Sequence, residues 1–132
     1  MSRIVIDAPT LFHIVVHQLT PSANHQVVGA QGVRSQALQL LLLALRAGQV
    51  DESDVKDMQE RITRFTMRLL GDRVSRDVAW DIAAEQSWDS VLDAELVALT
   101  RLQADALCTV DDGLRAKVEG LVPLVPLAAI LN

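Results

Sequence analysis

Two short apolar runs in this chain stop abruptly on aspartate. Ile4-Val5-Ile6 is followed by Asp7, and Ala106-Leu107-Cys108-Thr109-Val110 is followed by Asp111 and Asp112. Apolar runs of this length, bounded by charge, read as buried strands. In open parallel sheets ligands bind beyond the carboxyl ends of the strands. Acids in that position therefore either cap the helix that follows or face a site.

The rest of the chain reads as helices between such strands. Pro9 suits a first helical turn, and the pattern predicts a helix from about Thr10 to His17. Thr20 to His25 reads as a loop. A heavily apolar helix is expected from Val33 to Ala47, closed by Gly48. Another starts at Asp51 to Ser53 and carries Val55, Met58, Ile62 and Phe65 on one face. Val74, Val78 and Ile82 recur every four residues and predict a helix from Val74 to Gln86. A further helix, from about Asp89 to Leu102, aligns Leu92, Leu96, Leu99 and Leu102, and a short one runs from Gly113 to Glu119. Thr66 to Leu70 and Ala106 to Val110 read as strands. Val122 to Leu127, with Pro123 and Pro126, reads as an edge-like strand. The alternation predicts one α/β domain over residues 1–132, a three-layer α/β/α sandwich with a mainly parallel central sheet.

Half the residues are hydrophobic but only four are aromatic, Phe12, Phe65, Trp80 and Trp88, so the core must be built from Leu, Val, Ile and Ala. A net charge of −5 argues against nucleic-acid binding through global charge. Cys108 is the only cysteine, which excludes an intramolecular disulfide and fits a reducing compartment. Asp7 and Pro9 interrupt any secretory apolar region. The longest uncharged apolar stretch, Gly120 to Leu131, is too short to span a bilayer. A cytoplasmic protein without membrane attachment is expected.

Asp93 falls near the start of the Asp89–Leu102 helix, where the helix dipole favours a carboxylate, and off its leucine stripe. If neighbouring elements bring Asp7, Asp93 and Asp111 together, their repulsion calls for a cation. An all-oxygen, anionic site suits Mg²⁺ or Mn²⁺. The plainer alternative keeps each acid as a turn or cap residue, Asp111 capping the short helix after it. His13 and His17 stand four apart and can chelate a metal, but no third ligand is placed to complete a zinc site; helix packing or exposure is the plainer reading. Arg61, Arg64 and Arg68 form either a phosphate-facing ridge or a solvated face paired with the acids from Asp51 to Glu60. Cys108 reads as a small core residue.

The layout resembles the PIN domain, the metal-dependent ribonuclease fold of VapC-type toxins. IVIDAPTLFHIV at the N-terminus resembles that family's opening strand, acid and helix. AWDIAA from Ala79, and LDAELVALTRLQADALCTVDDGLRAKV from Leu92 to Val118, resemble its C-terminal half, including a strand that ends in Thr-x-Asp. The likeness spans essentially the whole chain in order. It implies that Asp7, Asp93 and Asp111 bind Mg²⁺ or Mn²⁺ and that RNA is cut by a metal-activated water. It also implies an antitoxin partner and a homodimer. The chain departs from the pattern at three places. Gln36 stands where the family usually has Glu, Pro9 and Thr10 replace the usual Ser or Thr two residues after the first acid, and Leu92 stands where an aromatic is common. Asp89 and Asp112 are candidates to replace the missing charge, Gln36 to orient water or phosphate, and Arg34 to hold a phosphate or neutralise an acid. The other function class consistent with these departures is a catalytically degenerate PIN-like interaction module.

Overall fold

The computed structural model describes residues 1–132. Four strands, β1 (Ser2–Ile6), β2 (His25–Ala30), β3 (Arg68–Leu70) and β4 (Ala106–Cys108), form one sheet in the order β3-β2-β1-β4. Every pairing is parallel, with Val5 opposite both Val28 and Leu107. The helices are α1 (Ala8–Val16), α2 (Val33–Arg46), α3 (Glu52–Arg64), α4 (Arg73–Gln86), α5 (Val91–Gln103) and α6 (Asp112–Val118).

Side chains alternate across the strands, and this splits the interior into two cores. Ile4, Ile6, Val27, Ala106 and Cys108 face α1, α2 and α3. Val5, Val28, Ala30 and Leu107 face α4, α5 and α6. The expected three-layer α/β/α sandwich is the observed architecture. Its order reverses between β1 and β4, because the chain first steps from β1 to β2 and β3 and then returns to the far side of β1.

Several local expectations are corrected. The segment after the Thr20–His25 loop forms β2, an interior strand that the sequence reading missed. Its only β-branched residues are Val27 and Val28, and Gly29 lies among them. The ladders to β1 and β3 hold it as a strand. Along α4 the buried positions are Ser75, Ala79 and Ile82, while Val74 is 56% exposed. Along α5, Leu92 and Leu102 are exposed and the buried run is Ala94 and Leu96 to Thr100. The small Ala94 and Ala98 let this helix approach both the sheet and α4. Val122 to Leu127 is not a regular strand. Leu107 donates to Pro123 and receives from Val125, giving one isolated parallel bridge at Leu124. Pro123 and Pro126 lack the N–H groups that would extend the ladder, and a 3₁₀ turn, Leu127–Ile130, follows.

Gly29 sits where β2 meets the start of α2. A methyl group there would stand 2.9 Å from Val33 Cγ1 and 3.1 Å from Met67 Sδ. Gly29→Ala should lower the unfolding free energy by about 1–3 kcal/mol, the usual cost of overpacking. Urea denaturation would read this as a lower midpoint at unchanged slope.

Candidate functional site

A cleft of about 400 Å³ opens beyond the carboxyl ends of β1, β2 and β4, where the strand order reverses. It gathers Asp7, Gln36, Asp93, Glu95, Asp111 and Lys117. Each side chain arrives from a local structural decision. Asp7 is the N-cap of α1, accepting from the Thr10 N–H at 3.1 Å. Asp111 is the N-cap of α6, its Oδ1 accepting from the Leu114 N–H at 3.1 Å. Asp93 lies in the first turn of α5, whose N-cap Ser90 accepts from the Asp93 N–H. Gln36 lies on the exposed side of the start of α2. The plain reading of Asp111 as a cap thus holds, and the same residue also lines the cleft.

Asp7 is only 4% exposed. Its Oδ1 accepts from the Thr10 hydroxyl and N–H, and its Oδ2 from the Thr109 hydroxyl at 2.6 Å. The two hydroxyls in turn accept backbone N–H groups, Thr10 from Val110 and Thr109 from Asp111, both at 3.0 Å. The end of β1 is thereby tied to the loop that carries Asp111. Burial raises the Asp7 pKa above its ordinary 3.8, and the threonine hydrogen bonds pull against that rise.

Lys117, on α6, brings a positive charge to the cleft. Its Nζ lies 2.7 Å from Asp93 Oδ2 and 4.7 Å from the centre of the Trp88 ring. The ammonium thus gains an ion pair and a cation–π contact at a half-buried position. Neither Lys117 nor Glu95 was identified from the sequence. The pairing of Lys117 with Asp93 joins α6 to α5 and leaves no periodic trace. Glu95 is not among the replacement acids expected, Asp89 and Asp112, and the fold brings it to the cleft from α5. Thr109 is the Thr of the Thr-x-Asp motif, and its hydroxyl carries the contact to Asp7.

The remaining candidates lie elsewhere. Asp89 precedes the N-cap of α5 and is exposed, outside the cleft. Asp112 pairs with Arg115 at 2.6 Å. Arg34 donates to the carbonyls of Ile62 and Phe65 at 2.8 and 3.0 Å, closing the end of α3. Its guanidinium is used structurally and does not reach the acids. Arg61, Arg64 and Arg68 lie around the amino ends of the strands, at the opposite edge of the sheet from the acids. Arg61 pairs with Asp57, as the solvated-face alternative expects. His13 and His17 lie with ring centres 4.3 Å apart and planes tilted by 49°, and burial and then the neighbouring His17 lower the His13 pKa. Cys108 is fully buried, its thiol pushed up to about 11 by burial and by Asp7, which fits a core residue and not a nucleophile.

The donors fit a hard divalent ion in kind. Asp7 Oδ2, Asp93 Oδ1 and Asp111 Oδ2 each retain lone pairs that no protein donor takes. Their spacing is looser than coordination needs, since no three His, Cys, Asp or Glu side chains surround one point. A shared ion therefore requires the three acids to draw closer together.

No protein-family model matches the sequence, and no curated protein matches it. Among solved structures, the chain is similar to PAE2754 from Pyrobaculum aerophilum, with a TM-score of 0.70 and 18% identity over 97% of this chain and 92% of the other. At that identity the likeness establishes a shared fold. No helix is long and apolar enough to cross a membrane.

The raised pKa of Asp7 has a definite sign for stability. The fold prefers the neutral acid, so its contribution is fully present below pH 3.8 and is lost as pH rises through the higher folded value. Asp7→Asn, which stays neutral, should therefore gain stability relative to the wild type across that interval and keep the gain at neutral pH. Paired denaturation curves from pH 3 to 8 check this; a constant difference between the two proteins would contradict it.

Proposed function

We propose that this cleft hydrolyses RNA phosphodiesters with the aid of Mg²⁺ or Mn²⁺. In this reading the chain is a PIN-like, VapC-like ribonuclease and the toxin of a toxin–antitoxin pair acting in the cytoplasm. One observation carries the proposal: Asp7, Gln36, Asp93 and Asp111, from separate parts of the chain, line one cleft at the reversal point of a parallel sheet. Asp7, Asp93 and Asp111 would hold the ion, which when bound supplies an acidified water and neutralises charge on the phosphate.

The chain's own residues supply the setting. Thr10 and Thr109 fix the orientation of the Asp7 carboxylate. Glu95 adds a negative charge to the cleft that Gln36 does not bring. The Gln36 amide, at the solvent-facing mouth, both donates and accepts hydrogen bonds and so suits orienting water or a phosphate oxygen. Lys117, once released from Asp93, is a point charge suited to a phosphate. A homodimer forms part of the proposal. Leu42 and Leu43, exposed on α2, offer apolar surface for it, and light scattering should report about twice 14.4 kDa.

A second reading, a non-catalytic interaction module, is favoured by the Lys117–Asp93 ion pair and by the neutral Gln36. Thermal melts with added Mn²⁺ separate the two readings. An ion that binds only the folded protein stabilises it by about 1.4 kcal/mol at ten times its dissociation constant. The wild type should gain stability, Asp93→Asn should lose most of the gain, and Gln36→Glu and Lys117→Met should enlarge it. Gln36→Glu should also raise RNA cleavage above the Asp93→Asn background. Melts unmoved by Mn²⁺ in the wild type, Gln36→Glu and Lys117→Met would remove the metal site. Metal binding without cleavage in any of them would leave the interaction module.

A further inference from the structure

A cavity larger than the acidic cleft lies elsewhere in the molecule. About 860 Å³ opens at the opposite edge of the sheet, between the end of α1, the loop to β2, the end of α3 and the start of β3. That volume lies within the roughly 300–1,000 Å³ of small-molecule sites. Its lining includes Val15, Leu19, Val27, Phe65 and Met67, while Arg61, Arg64, Arg68 and His25 supply its basic and polar groups.

The charges there are not spent within the protein. Arg61 pairs with Asp57, but Arg64 and Arg68 form no ion pair, although the chain carries an excess of acids. Arg64 lies in the last turn of α3, where the helix dipole favours a cation. Arg68 opens β3 and has no such partner. His25 Nε2 is 3.2 Å from the Ala129 carbonyl, while its Nδ1 is buried and bonded to nothing. A buried polar atom without a partner needs a reason. An apolar cavity with two free guanidinium groups is complementary to a molecule with an apolar body and an anionic head. The fork of a guanidinium matches a carboxylate in particular.

We propose that this cavity binds a small carboxylate amphiphile, its chain over Val15, Leu19 and Met67 and its carboxylate between Arg64 and Arg68. The site is separate from the acidic cleft and does not depend on the function assigned to it. An RNA backbone fits these arginines less well, because it would leave the apolar floor uncovered.

The test uses decanoate and its uncharged analogue decanol as probes, both below their aggregation concentrations. Binding is followed by calorimetry and by the methyl signals of Ile14, Val15, Leu19, Val27 and Met67. Decanoate should bind at one site per chain, shift those signals and bind at least about ten-fold more tightly than decanol. Arg64→Gln combined with Arg68→Gln should erase that preference while leaving decanol binding unchanged. Ala23→Trp, at an exposed lining position, should obstruct both probes without disturbing the core. Equal affinity for the two probes, or no saturable binding of decanoate, would overturn the proposal. So would methyl shifts that follow protein concentration and ignore the probe, which would assign the face to a second copy of the chain.

Discussion

A carboxylate buried at the end of a central strand must be neutralised or surrounded by donors. Asp7 is held by two threonine hydroxyls and one backbone N–H, and much of the architecture follows from that arrangement. Thr10 is available because Asp7 caps the helix in which Thr10 sits. Thr109 is available because β4 lies beside β1 in a register that places Cys108 opposite Ile6. The same hydroxyls order the backbone of Val110 and Asp111, which sets the N-cap of α6 and so positions Lys117. Packing, capping and the placement of the candidate site are thus one network. Burial of Asp7 raises its pKa, and the donors of the network pull against that rise.

The charge balance of the cleft follows a related logic. Four carboxylates, Asp7, Asp93, Glu95 and Asp111, line it, and Lys117 is the one cation among them. Acidic side chains therefore outnumber basic ones in the cleft, as they do in the chain as a whole. Lys117 is tethered on one side by Asp93 and on the other by the face of Trp88. The two contacts are independent, so loss of the one to Asp93 does not by itself remove the one to Trp88.

The sequence carried the local features well and the non-local ones poorly. β1 was legible because Ile4-Val5-Ile6 is β-branched and bounded by Asp7. α3 was legible because Val55, Met58 and Ile62 repeat on one face while the other is charged. β2 was hidden because an interior strand between two parallel neighbours needs no alternation, and Gly29 resembles a turn residue until the proximity of Val33 and Met67 explains it. The leucine stripe of α5 misled because a helix lodged between the sheet and α4 buries more than one face, and its small residues make the closest approaches. At the site, three acids were legible as abrupt endings or starts of elements. Glu95 and Lys117 were not, since only tertiary structure brings them to the cleft. Arg34 is the reverse case: close in sequence to Gln36, it turns away to close α3.

The segregation of charge between the two edges of the sheet has a single physical origin. In parallel β–α units the helix that follows a strand begins at that strand's carboxyl end, so the amino ends of α1, α2 and α6 gather at one edge. Their partial positive charge favours carboxylates there, as Asp7 and Asp111 illustrate by capping. The chain returns through helix carboxyl ends to the other edge, where partial negative charge favours cations. Arg61 and Arg64 in the last turn of α3, and Arg34 on its terminal carbonyls, answer that demand. An acidic edge and a basic edge are therefore what the topology prefers before any ligand is considered. What the topology does not require is the depth of burial of Asp7, the location of Lys117 among the acids, or an unpaired Arg68 beside an apolar cavity. Those three features exceed the needs of helix capping.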